Sequence, residues 1–219
     1  MNQLYGPCAW APSLMYHHIA KEAANLTVTT EWFRKQMEYL RDHGYTVIGA
    51  GELVAWFDQG QGLGKKAVLL TFDDAYEDFF SEAYPILKEF GFKATVFVPT
   101  GLVNNPGYLS WDQIREMSQS GLVTFGNHTW SHNNLGGNRE TVNNEIGLAD
   151  TQLTEHGLNS PKLLAYPYGS AWGLAETVAG EKGYLLGFTT QPGSILCKKM
   201  RLELPRTRIG NASLAAYGF

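Results

Sequence analysis

The stretch Ala67-Val68-Leu69-Leu70-Thr71-Phe72-Asp73-Asp74 decides the fold. Its first six residues carry no charge and lack the polar alternation of a half-solvated strand, as a parallel strand buried on both faces requires. Upstream, Ser13–His17 and Tyr45–Ile48 read as strands. Between them Thr30 caps a helix whose Phe33, Met37 and Leu40 fall on one face and which Gly44 stops, and Glu52–Phe57 reads as a short helix. Downstream, strand patterns at Ala94–Val98, Leu122–Phe125, Leu163–Tyr166 and Tyr184–Thr189 alternate with helices. These helices cover Glu77–Phe90, a segment opened by the Ser110/Gln113 capping box and ending near Gly121, Arg139–His156, and about 171–182. This alternation predicts the α/β class with a parallel sheet. Seven strands, with an eighth near Thr207–Ile209, favour a distorted (β/α)7-type barrel forming a single domain over 1–219. An open doubly wound sheet is the alternative. In either architecture the functional groups belong at the C-terminal ends of the strands.

Composition narrows the function classes. Of 219 residues, 44% are hydrophobic and 17% charged, which suits a packed core and excludes a disordered or coiled-coil chain. The net charge of −4 argues against nucleic acid as a partner. No apolar run is long enough for a transmembrane helix. Met1–Trp10 has neither the basic nor the apolar region of a signal peptide, which leaves open a cytoplasmic protein or one whose export segment is removed. Cys8 and Cys197 are expected to be unpaired thiols, with a single disulfide as the other option.

Three rim segments carry chemistry. Asp73 and Asp74 end a buried strand, where strand parity sends their carboxylates to different sides. His128 and His132 follow the strand at Leu122, spaced to present two imidazoles to one metal ion. With a carboxylate and open positions for water they make a catalytic metal set, and the second carboxylate is left as a base. The third segment is Tyr166-Pro167-Tyr168-Gly169, a sharp turn whose backbone N–H groups can face a developing oxyanion.

Thr71-Phe72-Asp73-Asp74-Ala75, His128-Thr129-Trp130-Ser131-His132 and Tyr166-Pro167-Tyr168-Gly169, in this order, resemble the first three motifs of the polysaccharide deacetylase (NodB-homology, carbohydrate esterase 4) family. Leu14-Met15-Tyr16-His17-His18 and Leu204-Pro205-Arg206 resemble the branch acting on poly-N-acetylglucosamine. The resemblance implies a metal-dependent hydrolase acting on an acetylated polysaccharide, exported or in the cell envelope. It implies Asp73 as general base, Asp74, His128 and His132 as ligands of one divalent ion, and Tyr168 at the oxyanion. The ion expected is Zn²⁺, with Co²⁺, Ni²⁺ or Fe²⁺ also compatible with the ligands.

The chain departs from the family pattern in three places. Ala75 replaces a glycine, a small change unless its φ is positive. Ala165 replaces an arginine that orients the base, and Arg206 is the candidate substitute. No histidine follows His156, so the family's late Leu-x-His acid is missing and His17 is the candidate. Tyr166, Pro167, Trp111 and Trp130 are expected to contact substrate, with Trp172 a further stacking candidate. The function expected is removal of N-acetyl groups from an N-acetylglucosamine-containing glycan. The alternatives are O-acetyl ester hydrolysis on a xylan-type glycan and a catalytically silent glycan-binding module.

Overall fold

A computed structural model describes residues 2–169 and 173–219. Eight parallel strands form one curled sheet: β1 (Ser13–Tyr16), β2 (Thr46–Ile48), β3 (Ala67–Phe72), β4 (Ala94–Val98), β5 (Val123–Asn127), β6 (Leu163–Ala165), β7 (Leu186–Phe188) and β8 (Thr207–Arg208). The order is β7-β6-β5-β4-β3-β1-β8, with β2 on the first half of β3. Every residue of β3 is buried, as its unbroken apolar run requires.

The sheet closes at a seam between β7 and β1. Leu204 bridges Phe188 in parallel, the Arg206 N–H donates to the Gln191 carbonyl at 2.9 Å, and Thr207–Arg208 then pairs with Leu14 and Met15. The chain from 204 to 208 therefore crosses from one edge of the sheet to the other. The result is the distorted barrel expected, with a short eighth strand, and not the open doubly wound sheet.

Helices α1 (Thr30–Asp42), α2 (Ala50–Gln59), α3 (Tyr84–Phe90), α4 (Trp111–Gln119), α5 (Arg139–Glu155) and α6 (Leu174–Glu181) connect the strands. Phe33, Met37 and Leu40 of α1 are fully buried, each worth roughly 1.5–3 kcal/mol relative to exposure. Its N-cap is Thr29 and not Thr30. Thr29 is extended and its hydroxyl accepts the Trp32 N–H at 3.2 Å, whereas the Thr30 hydroxyl donates to Glu82. The Ser110/Gln113 capping box forms as expected.

The helix expected over Glu77–Phe90 is broken into a π-helical turn, Phe79–Ala83, followed by α3. Pro85, at the start of α3, has no N–H to give and its ring displaces the carbonyl four residues back, so the ladder widens by one residue before it. The helix expected from about 171 is described only from Leu174, since 170–172, Trp172 included, lie outside the described residues.

The two cysteines are not free. Cys8–Trp10 pairs antiparallel with Ile195–Cys197, which sets Cys8 opposite Cys197 at a Cα–Cα distance of 4.1 Å, and the two form a disulfide. Nothing local in the sequence signals this, because the bridge spans 189 positions. Closing so long a loop restricts the unfolded chain, so the Cys8→Ser, Cys197→Ser double variant should lose about 2–4 kcal/mol in a urea melt. A reductant should cost the wild type the same and leave the variant unchanged.

Candidate metal and catalytic site

The motif residues expected at the strand ends converge on the C-terminal rim. Asp73 follows β3, His128 follows β5, Tyr166 follows β6, and Arg206 precedes β8 on the closing seam. The rim is also where the backbone is strained. Asp74, Ala75, Thr129, His132 and Tyr168 stand in the left-handed region, with φ of 71, 54, 66, 59 and 60°. Such a conformation costs a non-glycine residue on the order of 1–2 kcal/mol and persists only where the surroundings impose it. Ala75 is thus strained where glycine would not be. The conformation is held by its carbonyl, which accepts the Leu109 N–H at 2.9 Å, and the methyl that glycine would lack is buried in the core.

Asp74, His128 and His132 each aim one ligand atom at a common point, all within 4.8 Å of one another. Asp74 Oδ1 lies 3.1 Å from His132 Nε2 and 3.4 Å from His128 Nε2. His128 Nδ1 sits 2.7 Å from the Ala165 carbonyl, an oxygen that can only accept, so Nδ1 carries the proton. A neutral His128 then turns a lone pair toward the carboxylate, and Asp74 Oδ1 is a buried oxygen with no hydrogen-bond partner. With His132 Nε2, three potential ligand atoms face one point, which fits a cation. The Asp74 carboxylate also draws protons onto the imidazoles, in competition with an ion. Burial works against ionisation at both residues, yet contact with the imidazoles holds the Asp74 carboxyl far below the usual range, and Asp74 with Asp73 raises the His128 pKa. The donor set, one carboxylate and two imidazoles, suits Zn²⁺ and its divalent neighbours.

Asp73 takes a different partner from Asp74, as strand parity predicts, while staying close enough to His128 for the two charges to interact. Arg206, fully buried, grips it with two hydrogen bonds of 2.7 Å. The same guanidinium donates to the Thr189 carbonyl at 2.8 Å and to the Thr71 hydroxyl at 3.2 Å. Arg206 therefore occupies the place expected of it as the partner of Asp73. Burial alone would push the Asp73 carboxyl up, but Arg206, with His128 and His17, overrides it and leaves the pKa below the ordinary value. Asp73 is ionised at neutral pH and can accept a proton.

His17 directly follows β1, with its Nε2 3.9 Å from Asp73 Oδ2. Burial lowers its pKa, against the pull of Asp73 and Asp74. His18, next along, points the other way. Its Nδ1 is 2.6 Å from Asp78, and its ring stacks on Tyr76 at 3.6 Å.

The aromatic and turn residues sort differently from expectation. Tyr168 is 66% exposed, its ring 5.0 Å from that of His132, with its backbone in the strained turn. Trp130 is 40% exposed on the rim. It rests on Gly101, where a Cβ would lie 2.7 Å from the indole nitrogen. Tyr166 and Pro167 are buried, and the Tyr166 ring packs in the core with Leu164 and residues of α5 and α6. Tyr166 does not reach the cleft, because parity turns it to the outer face of the sheet, and Pro167, buried in the turn, is not among the residues that line it. Trp111 is also no platform. It lies on α4, stacked at 3.8 Å on His156 and packed against the main core.

The cleft itself, about 220 Å³, is lined by Asp74, His132 and Tyr168 and also by Tyr76, Leu102, Tyr108 and Ser131. Sequence reading missed these four. Tyr76 and Ser131 adjoin the motifs, but Tyr108 arrives only through the antiparallel bridge Tyr76–Tyr108.

A barrel with a carboxylate–imidazole–imidazole set on its rim, beside a second ionised carboxylate, is an arrangement suited to hydrolysis of an acyl group. The chain belongs to the polysaccharide deacetylase family, which it matches over residues 60–187. YxkH of Bacillus subtilis is 31% identical over 210 residues, covering 94% of this chain and 74% of that protein. The poly-beta-1,6-N-acetyl-D-glucosamine N-deacetylase of Staphylococcus aureus is 28% identical over 206 residues, covering 88% of this chain and 71% of that enzyme. The solved structure of the Streptococcus pyogenes deacetylase PplD in complex with acetate is similar at a TM-score of 0.85 and 33% identity, over 92% of each chain.

Proposed function

We propose that this chain, as one domain over 1–219, is a metal-dependent N-deacetylase of polysaccharides containing N-acetylglucosamine. The observation that carries this reading is the convergence of Asp74, His128 and His132 beside the Asp73–Arg206 pair. The Staphylococcus aureus relative, named for a poly-N-acetylglucosamine substrate, supports the choice of glycan.

A divalent ion held by Asp74, His128 and His132, Zn²⁺ by donor type, would polarise the acetyl carbonyl and acidify a water. Asp73 would accept a proton from water, with Arg206 keeping the carboxylate ionised and fixing its orientation. The Tyr168 backbone N–H, presented by the strained turn, serves the oxyanion. Trp130 and the Tyr168 ring, both exposed, offer apolar faces to neighbouring sugars.

His17 supplies the proton that the leaving amine needs. His17→Ala should cut turnover about 10²-fold, leave bound metal unchanged, and remove the alkaline limb of the pH–rate profile. Hydrolysis of an O-acetyl ester should suffer less, because an alkoxide leaves with less help than an amine. Equal losses on ester and amide would reject His17 as the acid.

The whole reading is tested by acetate release from an N-acetylglucosamine oligomer and from acetylated xylan, with and without chelator. Release from the first, abolished by chelator and restored by Zn²⁺ or Co²⁺, supports it. Release from xylan alone would make the enzyme an O-deacetylase. Sugar binding with no release from either would make it a silent module.

A further inference from the structure

The loop that carries both imidazoles holds itself poorly. Thr129 and His132 are left-handed, and the loop includes no helical turn of its own. Its backbone is held from outside. The Asn127 side chain accepts the Thr129 N–H at 2.7 Å, and the Gly101 N–H donates to the Trp130 carbonyl at 2.7 Å. The Thr100 N–H donates to the Thr129 carbonyl at 3.2 Å, and three further ties converge on one residue of α5. The Glu145 carbonyl accepts the Trp130 N–H at 2.9 Å. Its carboxylate takes the Ser131 N–H at 2.9 Å on one oxygen and the Ser131 hydroxyl at 2.8 Å on the other.

Glu145 is only 8% exposed. A buried carboxylate is costly unless donors satisfy it, and here both side-chain donors come from the residue directly before His132. Burying a charge where an apolar residue would serve α5 makes sense if the charge sets the position of Ser131. Ser131 lines the cleft beside His132, so its placement sets that of the imidazole.

We propose that Glu145 is a positioning residue for the imidazole pair, fixing His132 through Ser131 so that the Asp74–His128–His132 set is formed before any ion arrives. The inference rests on the metal-site reading above. Groups that orient metal ligands in this way are typically worth about 10–100-fold in metal affinity.

The test is isothermal titration of the chelator-stripped protein with Zn²⁺ and with Co²⁺, alongside thermal melts of the metal-free forms. Glu145→Ala should weaken the metal Kd about 10–100-fold. Glu145→Gln should recover most of it, because the amide oxygen accepts the Ser131 N–H while its NH₂ donates to a reoriented hydroxyl. Ser131→Ala, which keeps α5 intact, should weaken binding by a smaller factor. Leu153→Ala, which opens a cavity at the far end of α5, should lower the melting temperature without moving the Kd.

Wild-type Kd in both Glu145→Ala and Ser131→Ala would overturn the proposal, as would an equal loss in Leu153→Ala, which would make the effect one of stability. No metal uptake by the wild type would instead overturn the metal-site reading itself.

Discussion

Replacing Asp74, His128 or His132 singly with alanine is expected to abolish both stoichiometric metal and deacetylation while leaving the fold intact. Each change removes one of three protein donors, and an ion left with two, in a site open to water, does not survive dialysis against a mild chelator. The fold should tolerate the loss better than most core changes. Asp74 lies against two imidazole nitrogens that favour its ionised form, so the variant loses that electrostatic contribution but little apolar packing. Metal-free Asp74→Ala should therefore stay folded but melt somewhat below the metal-free wild type at neutral pH, and the metal-loaded wild type should melt above both. Metal content by elemental analysis, with acetate release in parallel, checks the claim. Retention of stoichiometric metal by two of the three variants would mean that the site is misassigned.

What was legible in the sequence followed from strand ends. The run into Asp73 and Asp74 announces a buried strand, and a carboxylate or imidazole just past such a strand must lie on the rim, whatever else the chain does. That reasoning places Asp73, Asp74, His128 and His17 without tertiary information. It fails where the decisive fact is which face a side chain takes. Tyr166 follows its strand as His128 follows β5, yet it turns to the outer core. Trp111 begins a helix near the cleft and packs on His156 instead.

Long-range partners were less legible still. Arg206 meets Asp73 across 133 positions, and no local pattern pairs them; the missing arginine at Ala165 and the family resemblance of Leu204-Pro205-Arg206 pointed to it. Cys8 and Cys197 had no such gap to fill. The same holds for Glu145, which in sequence is one acidic residue within a helix. Its role exists only because β5 and α5 bring it against Ser131.

Asp73→Asn should keep the metal and lose about 10²–10⁴-fold in turnover, because an amide cannot take the water's proton. The change also leaves the buried Arg206 with an uncompensated charge, which should cost roughly 3–5 kcal/mol of stability. The two effects separate in the Asp73→Asn, Arg206→Met double variant. Removing both charges should restore much of the stability and none of the activity. Arg206→Met alone reads the electrostatics. With the guanidinium gone, burial raises the Asp73 carboxyl instead of being overridden. The base must be ionised to act, so the acid limb of the pH–rate profile should move to higher pH. Stability carries the same sign. A carboxyl whose folded pKa is depressed stabilises the fold above its ordinary value of about 4, and that contribution fades as pH falls through the folded value. Wild-type stability should therefore drop between about pH 4 and lower values by more than that of the double variant, measured by denaturant melts across the range. An acid limb unmoved in Arg206→Met, or metal lost from Asp73→Asn as readily as from Asp74→Asn, would show that the two carboxylates exchange or share their roles.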